Sequence, residues 1–349
     1  MKRITLCALL MTLFLLLSCG SGSAKTEDPR TTFLNSIANL GKGFLDVFTS
    51  LSDMITGAFG IKADTKKSDI GNYFTDIEKT MTSVKKKLQT EVAKNGNYLK
   101  IKEVVDHFIT NTLDKIAEGA KTAAKGATGE DKIGGAPTAG QDAVAADATS
   151  VNSLVKGIGQ IVGVVLKDKE GNADATKTAE EQQKSIGKLL GGKDNDGTEA
   201  QAAAASASIG AVIGADILKA IAKSGEASTA GEIKIETAKN AAEIAAAKKE
   251  DQKDLKAGQK DAVVAAGIAL RAMAKGGKLA AKNEEKAAHA VNGAAASAVG
   301  KTLSTLIIAI RNTVDTGLKS ISEALASVKQ EDKSADSATP ADATAGAQQ

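Results

Sequence analysis

The sequence predicts an all-α fold, and three observations carry that prediction. Hydrophobic residues make up 42% of the 349-residue chain, yet aromatics are only 3% and Trp is absent. Burial therefore has to come from small side chains in close contact, as helices packed on helices provide. Only three prolines occur, Pro29, Pro137 and Pro340, all outside the stretches rich in the strong helix formers Ala, Leu, Lys and Glu. Finally, large apolar residues recur three and four apart over long stretches near both ends of the chain.

The elements follow in chain order. Lys2 and Arg3 precede an apolar run, Ile4 to Leu17, and then Ser18 and Cys19, the layout of a secretory leader. The run is too short to span a bilayer and no basic stop-transfer cluster follows it. Leu16-Leu17-Ser18-Cys19 resembles a bacterial lipobox, so residues 1–18 are expected to be removed as a signal peptide. Cys19 is then expected to carry N-acyl and S-diacylglycerol groups, whose several chains hold stably to a membrane where one would not. Residues 19–30 are small and polar and read as a flexible tether.

A single helical domain is expected over 31–329. Phe33, Ile37, Leu40, Phe44, Val47, Leu51 and Met54 form its first apolar stripe. Helices are predicted at 70–93 on Tyr73, Ile77, Met81, Val84, Leu88 and Val92, and at 99–118 on Ile101, Val105, Phe108, Leu113 and Ile116. Others are predicted at 150–167, 179–190, 201–223, 232–257, 260–275 and 282–296. A closing stripe runs through Leu303, Ile307, Ile310, Val314, Leu318, Ile321, Leu325 and Val328. The first and last stripes match in length, which suggests an elongated helical bundle whose long terminal helices lie side by side at the membrane-proximal end, with a loop-rich distal region. Stretches 119–149, 168–178, 191–199 and 224–231 have few large apolar residues and read as exposed loops. Residues 330–349 have the composition of a disordered tail.

Charge and motifs exclude several functions. The net charge of +3 falls to about +1 once Lys2 and Arg3 leave with the leader, so nothing steers nucleic acid to the chain. Ala295 to Thr302 loosely follows a phosphate-binding loop but lacks its leading Gly and sits in a helical composition. Gly157, Gly159 and Gly163 miss the dinucleotide fingerprint by one residue and read as helix contacts. Asp194-Asn195-Asp196-Gly197 lacks the further ligands of a calcium loop. His107, near an apolar face, and His289 have no neighbouring His or Cys with which to share a metal. The apolar run 202–222 is interrupted by Asp216 and Lys219, and Gly210 and Gly214 give it a small-residue face, so it reads as a packed helix. No nucleophile, base and oxyanion donor can be assembled, so neither catalysis nor a cofactor is expected.

One segment is specific. Asp261-Ala-Val-Val-Ala-Ala-Gly-Ile-Ala-Leu-Arg271-Ala-Met-Ala-Lys275-Gly-Gly-Lys278-Leu-Ala-Ala-Lys282 resembles the invariant segment of the variable large proteins of relapsing-fever Borrelia and the related VlsE antigens of Lyme spirochaetes. Residues Phe33 to Phe48 and Lys301 to Arg311 are also similar to those families, so the likeness spans nearly the whole chain. The resemblance implies an outer-membrane lipoprotein facing the cell exterior, anchored in lipid through Cys19. It also implies a role in antigenic variation, with host antibodies as partners. Within it, 261–282 is expected to be a helix partly buried by its Val, Ile, Leu and Met positions. The competing reading is an adhesin that binds host glycosaminoglycan or matrix through Lys248, Lys249 and Lys253; an exposed helix with alternating charges accounts for those lysines as well.

Overall fold

The structure is a computed structural model that describes residues 31, 34–39, 41–43, 60–96 and 98–329. The leader, Cys19, most of the first apolar stripe and the 330–349 tail lie outside the described residues. So does most of the predicted pairing of the terminal helices: residues 34–39 and 41–43 are helical as expected, and the rest of that first helix is not described.

The described chain is all-α, with ten α-helices and no strand among the described elements. They are α1 (Lys67–Lys94), α2 (Leu99–Phe108), α3 (Asp114–Ala124), α4 (Ala148–Val165), α5 (Glu180–Ser185), α6 (Glu199–Ala211), α7 (Gly214–Lys223), α8 (Ala241–Ala246), α9 (Asp261–Met273) and α10 (Glu285–Ser327). A π-helical turn, Ile109–Leu113, joins α2 to α3. The periodic residues fill the core as their spacing dictates: Ile77, Met81, Val84 and Leu88 of α1 and Leu303, Ile307, Ile310 and Val314 of α10 are all buried.

The chain forms two compact units. The smaller contains the described residues up to 48, those of 86–107 and 318–329. In it Ser36 Oγ donates to the Asn95 carbonyl and Gly43 abuts the Glu91 side chain. The larger contains residues 60–85 and 108–317, and in it α3 and α4 cross closely. A Cβ added at Gly157 would overlap the Ala123 amide and the Gly119 carbonyl. Gly157→Leu is therefore expected to lower stability by about 1–3 kcal/mol through overpacking, read by denaturant unfolding. The other two glycines of that motif need no such room: Gly163 faces open space and Gly159 meets Ala222 at ordinary contact distance.

Besides 179–190, which is α-helical only to Ser185 and continues as a 3-10 helix Ile186–Leu190, and the predicted 119–149 loop, whose first residues belong to α3, three predicted helices differ from the structure for local reasons. The 201–223 helix is broken at Val212 and Ile213 by a 97° bend between α6 and α7. This β-branched pair prefers extended backbone, and both sides of the break are capped. Asp216 accepts from the Ile213 amide at 3.0 Å, while Lys301 donates to the Ile209 and Val212 carbonyls at 2.7 and 2.5 Å. Of the predicted small-residue face only Gly214 packs, against Thr305 and the Lys301 carbonyl.

The 232–257 region is helical only at α8 and in a 3-10 turn, Ile235–Thr237. Tertiary hydrogen bonds to its carbonyls override its Ala-rich propensity. Conversely, 282–296 and the closing stripe merge into the 43-residue α10, because no proline intervenes and Gly300 is tolerated where nothing contacts it. The loops are also less open than expected: Ala127, Ile133, Ala136, Ala143 and Ala146 are buried, and Gln141 and Val144 form antiparallel bridges to Ala281 and Lys278.

Candidate functional site

The larger unit is organised around α9, which packs against α4, α6, α7 and α8. The helix expected over 261–282 stops at Met273: residues 274–282 are not helical, and Lys275 is exposed with Gly276 and Lys278 half-buried. Every residue of α9 itself except Val263 is buried, so burial within Asp261–Met273 is fuller than expected. Its ungraded apolar character makes that feasible, since Ala and Gly let neighbours approach from each direction. At Gly267, for instance, the Ile244 side chain sits where a Cβ would be.

Enclosure leaves the helix ends to be satisfied by protein groups. At the N-terminus the Asp261 carboxylate is fully buried. It accepts from the amides of Lys177 (2.6 Å) and Thr178 (2.8 Å), the Ser208 hydroxyl (2.7 Å) and Gln183 Nε2 (3.2 Å). Burial pushes this carboxyl up, but the hydrogen bonds from Thr178, the Lys177 and Thr178 amides and Ser208 outweigh it and hold the pKa below the usual range. The positive end of the helix dipole favours the same ionised form.

At the C-terminus the fully buried Lys67 ammonium lies among four carbonyls. They belong to Arg271 (3.2 Å), Ala272 (2.7 Å), Ala274 (2.7 Å) and Gly277 (2.8 Å). Arg271, also fully buried, fans its guanidinium between two segments. Nε donates to the Lys278 carbonyl at 2.9 Å, and Nη1 faces the carbonyls of Ile244, Ala245 and Ala247 at 2.9–3.3 Å. The outer edge, Gly277 to Leu279, borders a cleft of about 340 Å³ shared with residues 130–136, across which Lys278 pairs with Asp131 at 3.1 Å.

The surrounding loops are held in the same manner, through their main chain. Asn292 brackets Ala136, accepting from its amide and donating to its carbonyl, and Asn152 does the same at Ala227. Their outward positions, including 128–132, 137–139, 167–170, 193–195 and 228–232, are exposed.

The lysines of the adhesin reading are each taken up by an acid: Lys248 by Glu232, Lys249 by Asp142 at 3.2 Å and Lys253 by Glu236 at 3.1 Å. They lie outside any helix, with charge balanced locally. Ala295 to Thr302 lies inside α10, where no phosphate loop can form, and Lys301 serves as the cap described above. Asp196 is buried and accepts from the Gln252 amide, tying down its turn. His107 is exposed rather than near an apolar face, and His289 is exposed beside Glu285. Among the described residues no three His, Cys, Asp or Glu side chains are grouped to hold a metal.

Comparison with known proteins agrees with this architecture. A family model described as Borrelia lipoprotein matches residues 44–325. Variable large protein 4 of Borrelia hermsii is 64% identical over 98% of both chains, and variable large protein 17 of the same organism is 62% identical over 100% of this chain and 99% of its own. The crystal structure of the Lyme disease variable surface antigen VlsE of Borrelia burgdorferi superposes with a TM-score of 0.73 at 34% identity, covering 84% of this chain and 98% of that one. The chain thus belongs to the Borrelia lipoprotein family, with the variable large proteins and the VlsE antigen among its relatives.

Proposed function

We propose that this protein is an outer-surface coat antigen, anchored in the outer membrane by acyl chains on Cys19, whose exposed loops vary to evade host antibody while the fold beneath them stays the same. The observation that carries this reading is the way the loops are held. Asn152, Asn292, Lys67, Arg271 and Asp261 bind loop and segment backbone, and a backbone contact is indifferent to the side chain mounted on it. Exposed side chains can therefore change antibody contacts without disturbing the core. The enclosure of α9 supports a complementary expectation, that this segment is hidden from antibody on intact cells.

Treating intact cells with a non-permeant protease, beside a periplasmic control, tests the placement. Loss of this protein with the control intact is the expected result; protection of both would overturn an outward-facing coat. In the same cells Cys19→Ala should release the protein from the membrane fraction, and antibody raised against the 261–282 peptide should label lysed but not intact cells.

A further inference from the structure

We propose that the turn closing α9 is a preformed binding site for a singly charged cation of ammonium or potassium size, which the chain fills with its own Lys67 amine. The coordination shell is the starting point. Lys67 Nζ lies 2.7–3.2 Å from the carbonyls of Arg271, Ala272, Ala274 and Gly277, and its side chain is fully buried. An ammonium has three protons to donate, so four oxygens are one more than its hydrogen bonds require. Carbonyls in excess of donors are how a backbone replaces the hydration shell of a bare ion.

The shell is assembled without Lys67. The Arg271 and Ala272 carbonyls lie in the last turn of α9, where unpaired carbonyls carry the negative end of the helix dipole. Gly276, at φ +79°, reverses the chain, and Gly277 comes so close to the Arg271 carbonyl that a Cβ would overlap it. Backbone bonds then hold the returning segment. The Lys275 amide donates to the Gly126 carbonyl at 3.2 Å, the Asp147 amide to the Lys275 carbonyl at 2.9 Å, and Lys278 exchanges two bonds with Val144 at 2.9 and 3.1 Å. None of these passes through Lys67, so the four oxygens stay in place when its side chain is shortened.

The same surroundings set the charge of the ion. Every hydrogen bond described for Nζ goes to a neutral carbonyl, and Arg271 and Lys278 add positive charge nearby, against the single carboxylate of Asp131. Calcium and magnesium sites bring carboxylates into the shell itself, so this one selects a monovalent ion. Sodium, being smaller, needs its oxygens closer than this turn holds them. Burial pushes the amine down to about 7; at pH 6 it is an ammonium, and the test is made there.

Lys67→Ala in the full-length protein vacates the space of the amine and its stem. In tetramethylammonium chloride, whose cation is too large to enter, this variant should be less stable than the wild type. Replacing that salt with ammonium chloride at equal ionic strength should restore stability. The folding constant from urea titration should rise about tenfold for each tenfold increase in ammonium once the site begins to fill. Potassium should act in the same direction, and sodium less. The ion enters as the chain refolds, so burial of the empty site is no barrier at equilibrium. The wild type, and Lys67→Met, whose side chain still occupies the space, should not distinguish the salts. An equal response of Lys67→Ala to ammonium and tetramethylammonium, or a response shared by Lys67→Met, would overturn the site. If Lys67→Ala folds in neither salt, nitrogen-15 spectra of the wild type at pH 6 decide. The Lys67 ammonium protons should exchange with water more slowly than those of the exposed Lys62 and Lys169; equal exchange would overturn the site.

Discussion

Asp261→Ala is expected to destabilise the protein by about 3–5 kcal/mol, seen as a large fall in the denaturant midpoint with little change in slope. The carboxylate is the shared acceptor for the Lys177 and Thr178 amides, the Ser208 hydroxyl and Gln183. Truncation leaves several buried donors without a partner at once, and each costs about 1–3 kcal/mol before the loop relaxes. The effect should be pH-dependent in a defined direction. Because the folded carboxyl is held below its usual range, its contribution is present above the unfolded value of about 3.9 and is lost as the pH falls through the folded value. The wild type should therefore lose stability in acid faster than Asp261→Asn, whose amide is uncharged throughout. Parallel acid profiles would show that the carboxylate charge is not what anchors the 176–178 loop.

What the sequence made legible is what periodicity and propensity control. The stripes of α1 and α10 placed most of their buried residues correctly, because a helix buried on one face records that burial every three or four positions, although Tyr73 is half-buried where its neighbour Phe74 is fully buried, and Val328 falls beyond the end of α10. At α9 this signal fails. A helix enclosed on all sides has no polar face, so its pattern cannot distinguish partial from full burial. The hydrogen-bonding groups that position it were equally hard to read. Lys67 stands in a Lys66-Lys67 pair ahead of an amphipathic helix and looks like any solvated charge, since its partners are carbonyls far away in sequence. Arg271 and Asp261 stood out only through family resemblance, and their roles did not follow from it. The 232–257 region failed in the opposite sense: its Ala-rich composition favours helix, and the carbonyls that would continue α8 are taken instead by a guanidinium contributed by α9.

That guanidinium gives the second large effect. Arg271→Met should cost about 2–4 kcal/mol, the balance of two opposed contributions. The side chain satisfies carbonyls at Lys278 and at the end of α8, and losing it strands several acceptors. Against this, the wild type bears the cost of dehydrating a full charge, and Nη2 has no hydrogen-bond partner among the described residues, so part of the loss is recovered. Arg271→Lys should fall short of rescue even though it keeps the charge. An ammonium is a single point, whereas the guanidinium directs Nε and Nη1 toward two different segments. A lysine reaching the carbonyls of Ile244, Ala245 and Ala247 would leave that of Lys278 unpaired, or the reverse. If Arg271→Lys were as stable as the wild type, charge alone would be holding α8 and the 278 segment to α9; if it were as unstable as Arg271→Met, the fork geometry would be the whole of the contact. The expected intermediate value would mean that the arginine joins these segments by combining charge with direction.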